Sequence, residues 1–447
     1  MLNEAVRRHR VRPGVIMPGA AGRAPVPRSS RHVFITLFVL VLRGAQAQSP
    51  SDPLITPDYA LPDLSRNEIL LPGDHKVWEG LNERFDRLFL EGEGQVNIVQ
   101  IGGSHIQADA WTARLRDRLQ RVVPGTRAGR GFIFPYNMAG TNNPYWYLPE
   151  YTGRWSAMKN TQRPDSTAAL GLAGYAVTTR DTDTRLRISF RGQYEGHPFT
   201  RATVLHGADS SFYVSTWCND TNVTVLWATD VPRGETVFEF SRPVDTLNLR
   251  FEQADTLKQR SFMLRGIMLG GDDPGVFYHA LGVNGASTRS WLGCPKFEED
   301  LALVDPQLVV FSIGINDAHD PAFSPERFER NYDELIARVR RAAPDAAVLL
   351  VTNSDSYRKR RYPVRNAGDV RDVMMRLATR HGCGVWDLYG VMGGPGSIRR
   401  WQRHGLARAD LVHFTREGYE LIGDLMFTAI MKNFGEHAAG AARGNGR

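Results

Sequence analysis

The period of the hydrophobic pattern changes twice along this chain, and each change marks a change of architecture. A β-branched run over residues 96–101 ends at Gly102-Gly103, and residues 110–122 follow with apolar positions at helical spacing. That order predicts a strand, a sharp turn and a helix. The same unit returns further on. Continuous apolar runs at 308–313 and 346–351 predict buried strands, and the 3.6-residue periodicity of 328–339, 370–379 and 418–431 predicts helices between and after them. Strands alternating with helices imply parallel strands joined by crossovers, hence an α/β layered sheet. Between these parts, residues 141–268 carry short alternating runs at 185–190, 212–217, 223–227, 236–240 and 247–251, separated by turn residues. This is the pattern of a β-sandwich inserted into the α/β domain.

The first 47 residues need a different reading. Eight arginines and one glutamate, an apolar run at 33–42 and Ala45-Gln46-Ala47 follow one another in the order of an export signal, with Met17 as an alternative start to Met1. The apolar run is too short to anchor a helix across a bilayer. The predicted layout is therefore a signal peptide (1–47), an N-terminal linker and helix (48–95), an α/β domain in two pieces (96–140 and 269–435), the insert (141–268) and a flexible tail (436–447). The expected location is the periplasm or the exterior.

Removing the signal changes the charge picture. The whole chain has 55 basic and 48 acidic residues, a formal +7, and the signal accounts for all of that excess. A mature chain with no net charge gives no electrostatic reason to expect nucleic acid or an anionic membrane as partner. Cys218, Cys294 and Cys383 are odd in number and lack CxxC spacing, which argues against a structural zinc site and permits at most one disulfide.

Candidate chemistry sits at the predicted C-terminal ends of the strands, where open α/β sheets place their ligands. Gly102-Gly103-Ser104-His105 presents a serine on a glycine turn; Gly314-Ile315-Asn316-Asp317 offers an amide after a later strand; Asp410-Leu411-Val412-His413 places a carboxylate and an imidazole on one loop before the last helix. Ester hydrolysis would use these groups as nucleophile (Ser104), general base and acid (His413) and ring-orienting carboxylate (Asp410). Structural readings stand beside the functional ones. Ser104 is equally the residue type of an ordinary turn, Asn316 that of a turn cap, and His413 that of a packed helix-start ring. Asp317 and His319 read as structural and solvated loop residues. The aromatic stretch from Phe132 to Trp155 is either a sugar platform or an interface between insert and α/β domain.

Taken together, these segments resemble the SGNH (GDSL-like) hydrolase family, from about residue 96 to 434 apart from the insert. The family's blocks match, in order, Gly102-Gly103-Ser104-His105, Gly285 within Gly282-Val283-Asn284-Gly285-Ala286, Gly314 with Asn316 and Asp317, and Asp410 with His413. Gly103 stands where the family normally has aspartate. The GGSH start, Gln107, Arg130-Gly131-Phe132, Phe134-Pro135-Tyr136 and Asn142-Asn143-Pro144 look most like an exported branch that removes acetyl groups from cell-wall polysaccharide. The resemblance implies a three-layer, flavodoxin-like parallel sheet and a serine esterase needing no metal or other cofactor. Its implied oxyanion hole is the backbone N–H groups of Ser104 and Gly285 with the Asn316 amide, and its implied partner is an acetylated glycan. Candidate substrate contacts are His105, Gln107, Asn142, Tyr213 and Trp217. Two other function classes stay open: a metal-dependent phosphoesterase built on His105, Asp109, Asp317 and His319, and a glycan-binding protein that has kept the fold without catalysis.

Overall fold

The computed structural model describes residues 61–126, 128–162, 169–192, 197–255 and 260–444; the signal-peptide expectation for 1–47 lies outside the described residues. Six strands form the parallel sheet, in the order Ile69–Leu70, Gly384–Trp386, Ala347–Val351, Leu308–Ser312, Gln95–Gly102, Gly275–Gly282. All pair in parallel except the short edge strand Ile69–Leu70. Numbered by their position in the chain, the five parallel strands run 2-1-3-4-5, the flavodoxin-like order. These strands are buried on both faces, as their unbroken apolar runs require: Val309, Val310, Val348, Leu349 and Leu350 have no exposed surface.

Two groups of helices cover the sheet. Lys76–Glu91 buries Trp78, Leu81, Phe85, Leu88 and Phe89 along one stripe and ends at Gly92 in the left-handed region. Trp111–Gln120 and Arg416–Gly444 pack beside it, while Phe297–Val304, Pro325–Ala342 and Asn366–His381 pack with one another. The last helix runs to Gly444, across the stretch whose composition suggests a tail. Ala438 and Ala439 favour helix there, and His437 Nε2 lies 3.5 Å from Asp86 Oδ2.

The insert is built from antiparallel strands in two sheets. One orders Val225–Asp230, Glu235–Val244, Phe199–His206, Phe262–Gly270, Tyr175–Thr179 and Ser156–Lys159; the other orders Tyr147–Tyr151, Asp183–Phe190, Thr246–Gln253 and Phe212–Thr216. Alternation sets their faces: Thr184, Leu186 and Ile188 point inward, while Asp183, Arg185 and Arg187 are exposed. The first sheet also takes in Gly131–Ile133, paired to Phe262–Gly270, so pairing starts before residue 141. One continuous apolar cluster runs from Val99 and Ile101 through Phe134, Tyr136 and Tyr175 to Leu249 and Phe251. Most of the aromatic stretch is spent there. Phe132, Phe134, Tyr136 and Tyr147 are buried, with Phe134 stacked on Tyr175 at 5.5 Å, so these rings are interface and not sugar platform.

A buried ion group with no linear motif ties the helix Trp111–Gln120 to the segment leading into Gly131–Ile133. Asp109 accepts from Arg116 Nη2 at 3.0 Å, from Thr112 Oγ1 at 2.5 Å and from Arg130 Nη2, and all three charged side chains are almost fully enclosed. Burial pushes the Asp109 carboxyl up, but Arg116 and Arg130 outweigh it and hold it below the usual range. Asp109→Asn would leave two guanidinium groups uncompensated, at a cost of about 3–5 kcal/mol in denaturant unfolding. Because the folded value is the lower one, this stabilisation is complete above the ordinary aspartate pKa. It is lost as acid takes the pH down through the depressed value, so the variant's deficit should shrink in acid.

Candidate active site

The strand order makes its topological switch between Gln95–Gly102 and Leu308–Ser312, and an open α/β sheet forms its crevice just beyond the carboxyl ends of such a pair. Ser104 follows the first of these strands and Asn316 the second. The turn at Ser104 is tight because the backbone has no room: a Cβ on Gly102 would lie 2.3 Å from Ile106 Cγ1 and 2.7 Å from the Ser312 carbonyl. The short helix Ser104–Gln107 starts at once and holds Ser104 half-buried at the crevice.

Asp410 and His413 come from the loop ahead of the last helix. The Asp410 carboxylate accepts the backbone N–H groups of Val412 and His413 through Oδ1, both at 2.9 Å, and faces His413 Nδ1 through Oδ2 at 2.9 Å. Leu411 takes a left-handed φ of 56° to bend the loop this tightly, and its buried side chain helps hold that strained conformation. An ionised carboxylate only accepts, so Nδ1 carries the proton and Nε2 is left as an acceptor. Ser104 Oγ stands 2.9 Å from that Nε2. Burial raises the Asp410 carboxyl, while the bonds from the His413 backbone and ring pull it down further, so it is held below its ordinary range and ionised at neutral pH.

Three donors gather beside the serine. The backbone N–H groups of Ser104 and Gly285 have no acceptor among the described residues, and Gly285 adopts a φ of 81°, open to glycine without strain. The Asn316 amide gives one hydrogen to the Ala286 carbonyl at 2.8 Å, which orients it and leaves the second free. A Cβ at position 103 would lie 3.3 Å from Asn316 Nδ2, so glycine in place of the usual aspartate keeps the space beside this donor clear. Asn316→Ala should lower kcat on an acetyl ester roughly 10²–10³-fold with little change in KM, measured by steady-state kinetics.

The candidate substrate contacts fare differently. Gln107 is no contact residue: it is 1 % exposed and its amide is fully used. Its Oε1 accepts from the Asn284 N–H at 2.8 Å and Tyr175 Oη at 3.1 Å, and its Nε2 donates to Thr141 Oγ1 and the Asn142 carbonyl. This residue pins the Gly285 loop to the edge of the insert. Asn142 is exposed and accepts from Asn284 Nδ2 at 2.8 Å, one residue from Gly285. His105 packs against His413, ring centroids 5.1 Å apart, with Nδ1 2.8 Å from Tyr419 Oη. Burial, aided by His413, pushes it down to about 3, so it stays neutral and cannot act as a second base near neutral pH. Tyr213 and Trp217 are 47 % and 38 % exposed on the four-stranded sheet of the insert, where Tyr213 pairs with Glu252 and the Arg185 guanidinium lies over the Trp217 ring. Their described partners are on that same sheet and do not link them to Ser104.

Sequence reasoning missed the role of His319. It is half-buried, its Nε2 bonds Ser356 Oγ at 2.9 Å, and burial, with the charges of Arg358 and His413 nearby, holds its ring below the ordinary histidine value, so it borders the site instead of standing in solvent. Asp317 accepts from the backbone and hydroxyl of Thr288, a structural tie between two helices. With Asp109 held by arginines and His105 by Tyr419, the four residues of the metal-dependent alternative do not converge. Among the described residues no group of three or more His, Cys, Asp or Glu is arranged to hold a metal ion. The three cysteines are all free.

Residues 263–421 match the GDSL-like Lipase/Acylhydrolase family. Over this stretch the chain is similar to that family. The match spans Gly285, Asn316, Asp410 and His413 but not Ser104, whose strand lies ahead of the insert in the chain. No curated protein matches it. Among solved structures, one of a peptidoglycan O-acetylesterase shares 18 % identity over 82 % of this chain and 99 % of its own, with a TM-score of 0.66, and so shares the fold, insert included. An acetylxylan esterase from Geobacillus stearothermophilus is 18 % identical over 36 % of this chain and 73 % of its own (TM-score 0.30). A family two carbohydrate esterase from Cellvibrio japonicus is 9 % identical over 64 % and 98 % (TM-score 0.26).

Proposed function

We propose that this GDSL-like hydrolase is an exported serine esterase that removes O-acetyl groups from a polysaccharide of the cell envelope or its surroundings. The observation that carries the reading is the unbroken hydrogen-bond chain from Ser104 through His413 to Asp410 beside three convergent donors. As Ser104 Oγ attacks the ester carbonyl, His413 Nε2 takes its proton and Asp410 stabilises the imidazolium. The developing oxyanion is met by the N–H groups of Ser104 and Gly285 and by Asn316. His413 then gives the proton to the departing sugar oxygen as its bond to the acyl carbon breaks, so the sugar leaves as a free hydroxyl and an acyl-Ser104 remains. Water activated by the same ring releases the acid.

The exposed Asn142 beside the Gly285 loop suits a hydroxyl-rich substrate, and the signal pattern of residues 1–47 supports export. Support for an acetylated cell-wall glycan comes from the peptidoglycan O-acetylesterase that shares the fold. The test is release of acetate from O-acetylated peptidoglycan, xylan and other acetylated glycans by the purified protein. Acetate from at least one polymer is expected; none from any, with cleavage of long-chain esters instead, would overturn the reading.

In this reading the insert holds polymer near Ser104. Tyr213→Ala and Trp217→Ala should then lower kcat/KM on polymer by roughly 1–3 kcal/mol per ring, the scale of ring stacking on planar ligands, and leave a small chromogenic acetate unchanged. Since both rings are exposed, the melting temperature should hold. Equal losses on polymer and small ester would rule out the holding role.

A further inference from the structure

The mature chain is electrically balanced as a whole, but not around its catalytic loop. Residues 356–368 contain Arg358, Lys359, Arg360, Arg361 and Arg365 and no acid; residues 396–409 contain Arg399, Arg400, Arg403 and Arg408 and no acid. Elsewhere arginines meet carboxylates, as Arg341 meets Glu298 and Arg380 meets Asp333. Among the described residues, Arg358, Lys359, Arg360, Arg361, Arg399 and Arg403 are all exposed and none forms an ion pair.

Both segments are tied to the catalytic loop. The strands Tyr357–Arg358 and Tyr362–Pro363 form a hairpin, and the Tyr357 N–H donates to the carbonyl of Leu411, two residues from His413, at 2.9 Å. Arg399 lies over the Tyr357 ring at 4.5 Å, and the Arg408 N–H donates to the His413 carbonyl at 2.8 Å. Of the acids flanking these segments, Asp410 is engaged with His413 and Asp355 with the N–H of Ile398, while Asp369 lies in the first turn of the helix Asn366–His381.

The hairpin turn holds a second observation. Its two central residues, Lys359 and Arg360, sit at φ 51° and 60°, and the Arg361 N–H closes onto the Arg358 carbonyl at 3.2 Å. This is the mirror-image turn that Asn-Gly fills without strain. Two long cations are held there against backbone preference, and strain kept at such a place points to function.

We propose that this cationic hairpin, with the neighbouring Arg399 and Arg403, admits and holds a polysaccharide whose sugar units carry carboxylates, bringing its acetyl esters to Ser104. The inference rests on the esterase reading above and narrows its substrate class to anionic acetylated glycans. Guanidinium groups match carboxylates in planar pairs, and the exposed Tyr362 ring offers a stacking face for a sugar. A bilayer headgroup fits less well, because apart from its tyrosines the hairpin tip carries only charged side chains to insert.

The test uses Lys359→Asn/Arg360→Gly, which removes two charges and relieves the turn, so the melting temperature should stay or rise. On O-acetylated polygalacturonate its KM should rise about fivefold at low salt with kcat unchanged, and wild type should converge on the variant at high salt. Acetylated xylan and a small chromogenic acetate should be turned over as by wild type. A second arm needs no hydrolysis. Ser104→Ala should be retarded in gels containing unesterified polygalacturonate, and adding the double substitution should abolish the retardation. If no ester is cleaved at all, the esterase reading fails while this binding arm still decides the cationic entry. The proposal is overturned by unchanged retardation, by an unchanged KM, by an equal rise on neutral xylan, or by a loss confined to phosphatidylglycerol vesicles.

Discussion

Ser104→Ala is expected to remove nearly all ester hydrolysis, a fall in kcat of roughly 10⁴–10⁶-fold, with circular dichroism and melting temperature at wild-type values. The hydroxyl's bond is to His413 Nε2, at the mouth of the crevice, so its loss leaves no buried partner stranded. The main-chain N–H of residue 104 survives the substitution, and with Gly285 and Asn316 it sustains the small residual rate. His413→Ala should be equally severe. His105, although its ring centroid is only 5.1 Å away, cannot replace it: it is bonded to Tyr419 and held neutral with a basicity too low to take the serine proton. Since serine and histidine work as one unit, the double variant should be little slower than either single one. Fully additive losses, or wild-type turnover of a small acetate by Ser104→Ala, would refute the assignment.

Asp410→Asn should lower kcat between about 10²- and 10⁴-fold, less than loss of either reacting residue. The structure explains the intermediate size. Asparagine can keep the Oδ1 bonds to the N–H groups of Val412 and His413, so the strained Leu411 loop stays folded. What changes is the second oxygen. An amide NH₂ facing His413 Nδ1 favours the tautomer with the proton on Nε2, which points it at Ser104 and removes the acceptor that catalysis needs. The negative charge facing the imidazolium is lost as well. Residual activity should therefore persist and rise with pH, read from a kcat/KM profile on a small acetate. A variant as fast as wild type at neutral pH would show that another carboxylate serves the ring; in the structure Asp109, Asp317 and Asp355 are each bound elsewhere.

The sequence by itself determined the architecture and singled out the candidate reacting groups that the structure brings together. Largely apolar runs of strand length do not suit a sheet exposed on one face, and the period-3.6 segments between them do not suit strands, so 96–101, 308–313 and 346–351 were readable as parallel core strands. Because such a sheet puts its crevice at the strand ends, Ser104, Asn316, Asp410 and His413 stood out by position as well as by type. Strand alternation identified the insert, and 185–190 and 247–251 fall within Asp183–Phe190 and Thr246–Gln253. Three things were decided only by the tertiary structure, for one physical reason: each depends on which distant segments meet. Gln107 looks like a cleft residue until Asn284, Tyr175 and Thr141, far away in the chain, take up its whole amide. Asp109, Arg116 and Arg130 become a buried ion group only when the insert closes over them. The zero net charge expected once residues 1–47 are removed is a sum over the remaining chain, whereas a ligand meets a surface, and folding carries the cations of 356–368 and 396–409 to the same side of the catalytic loop.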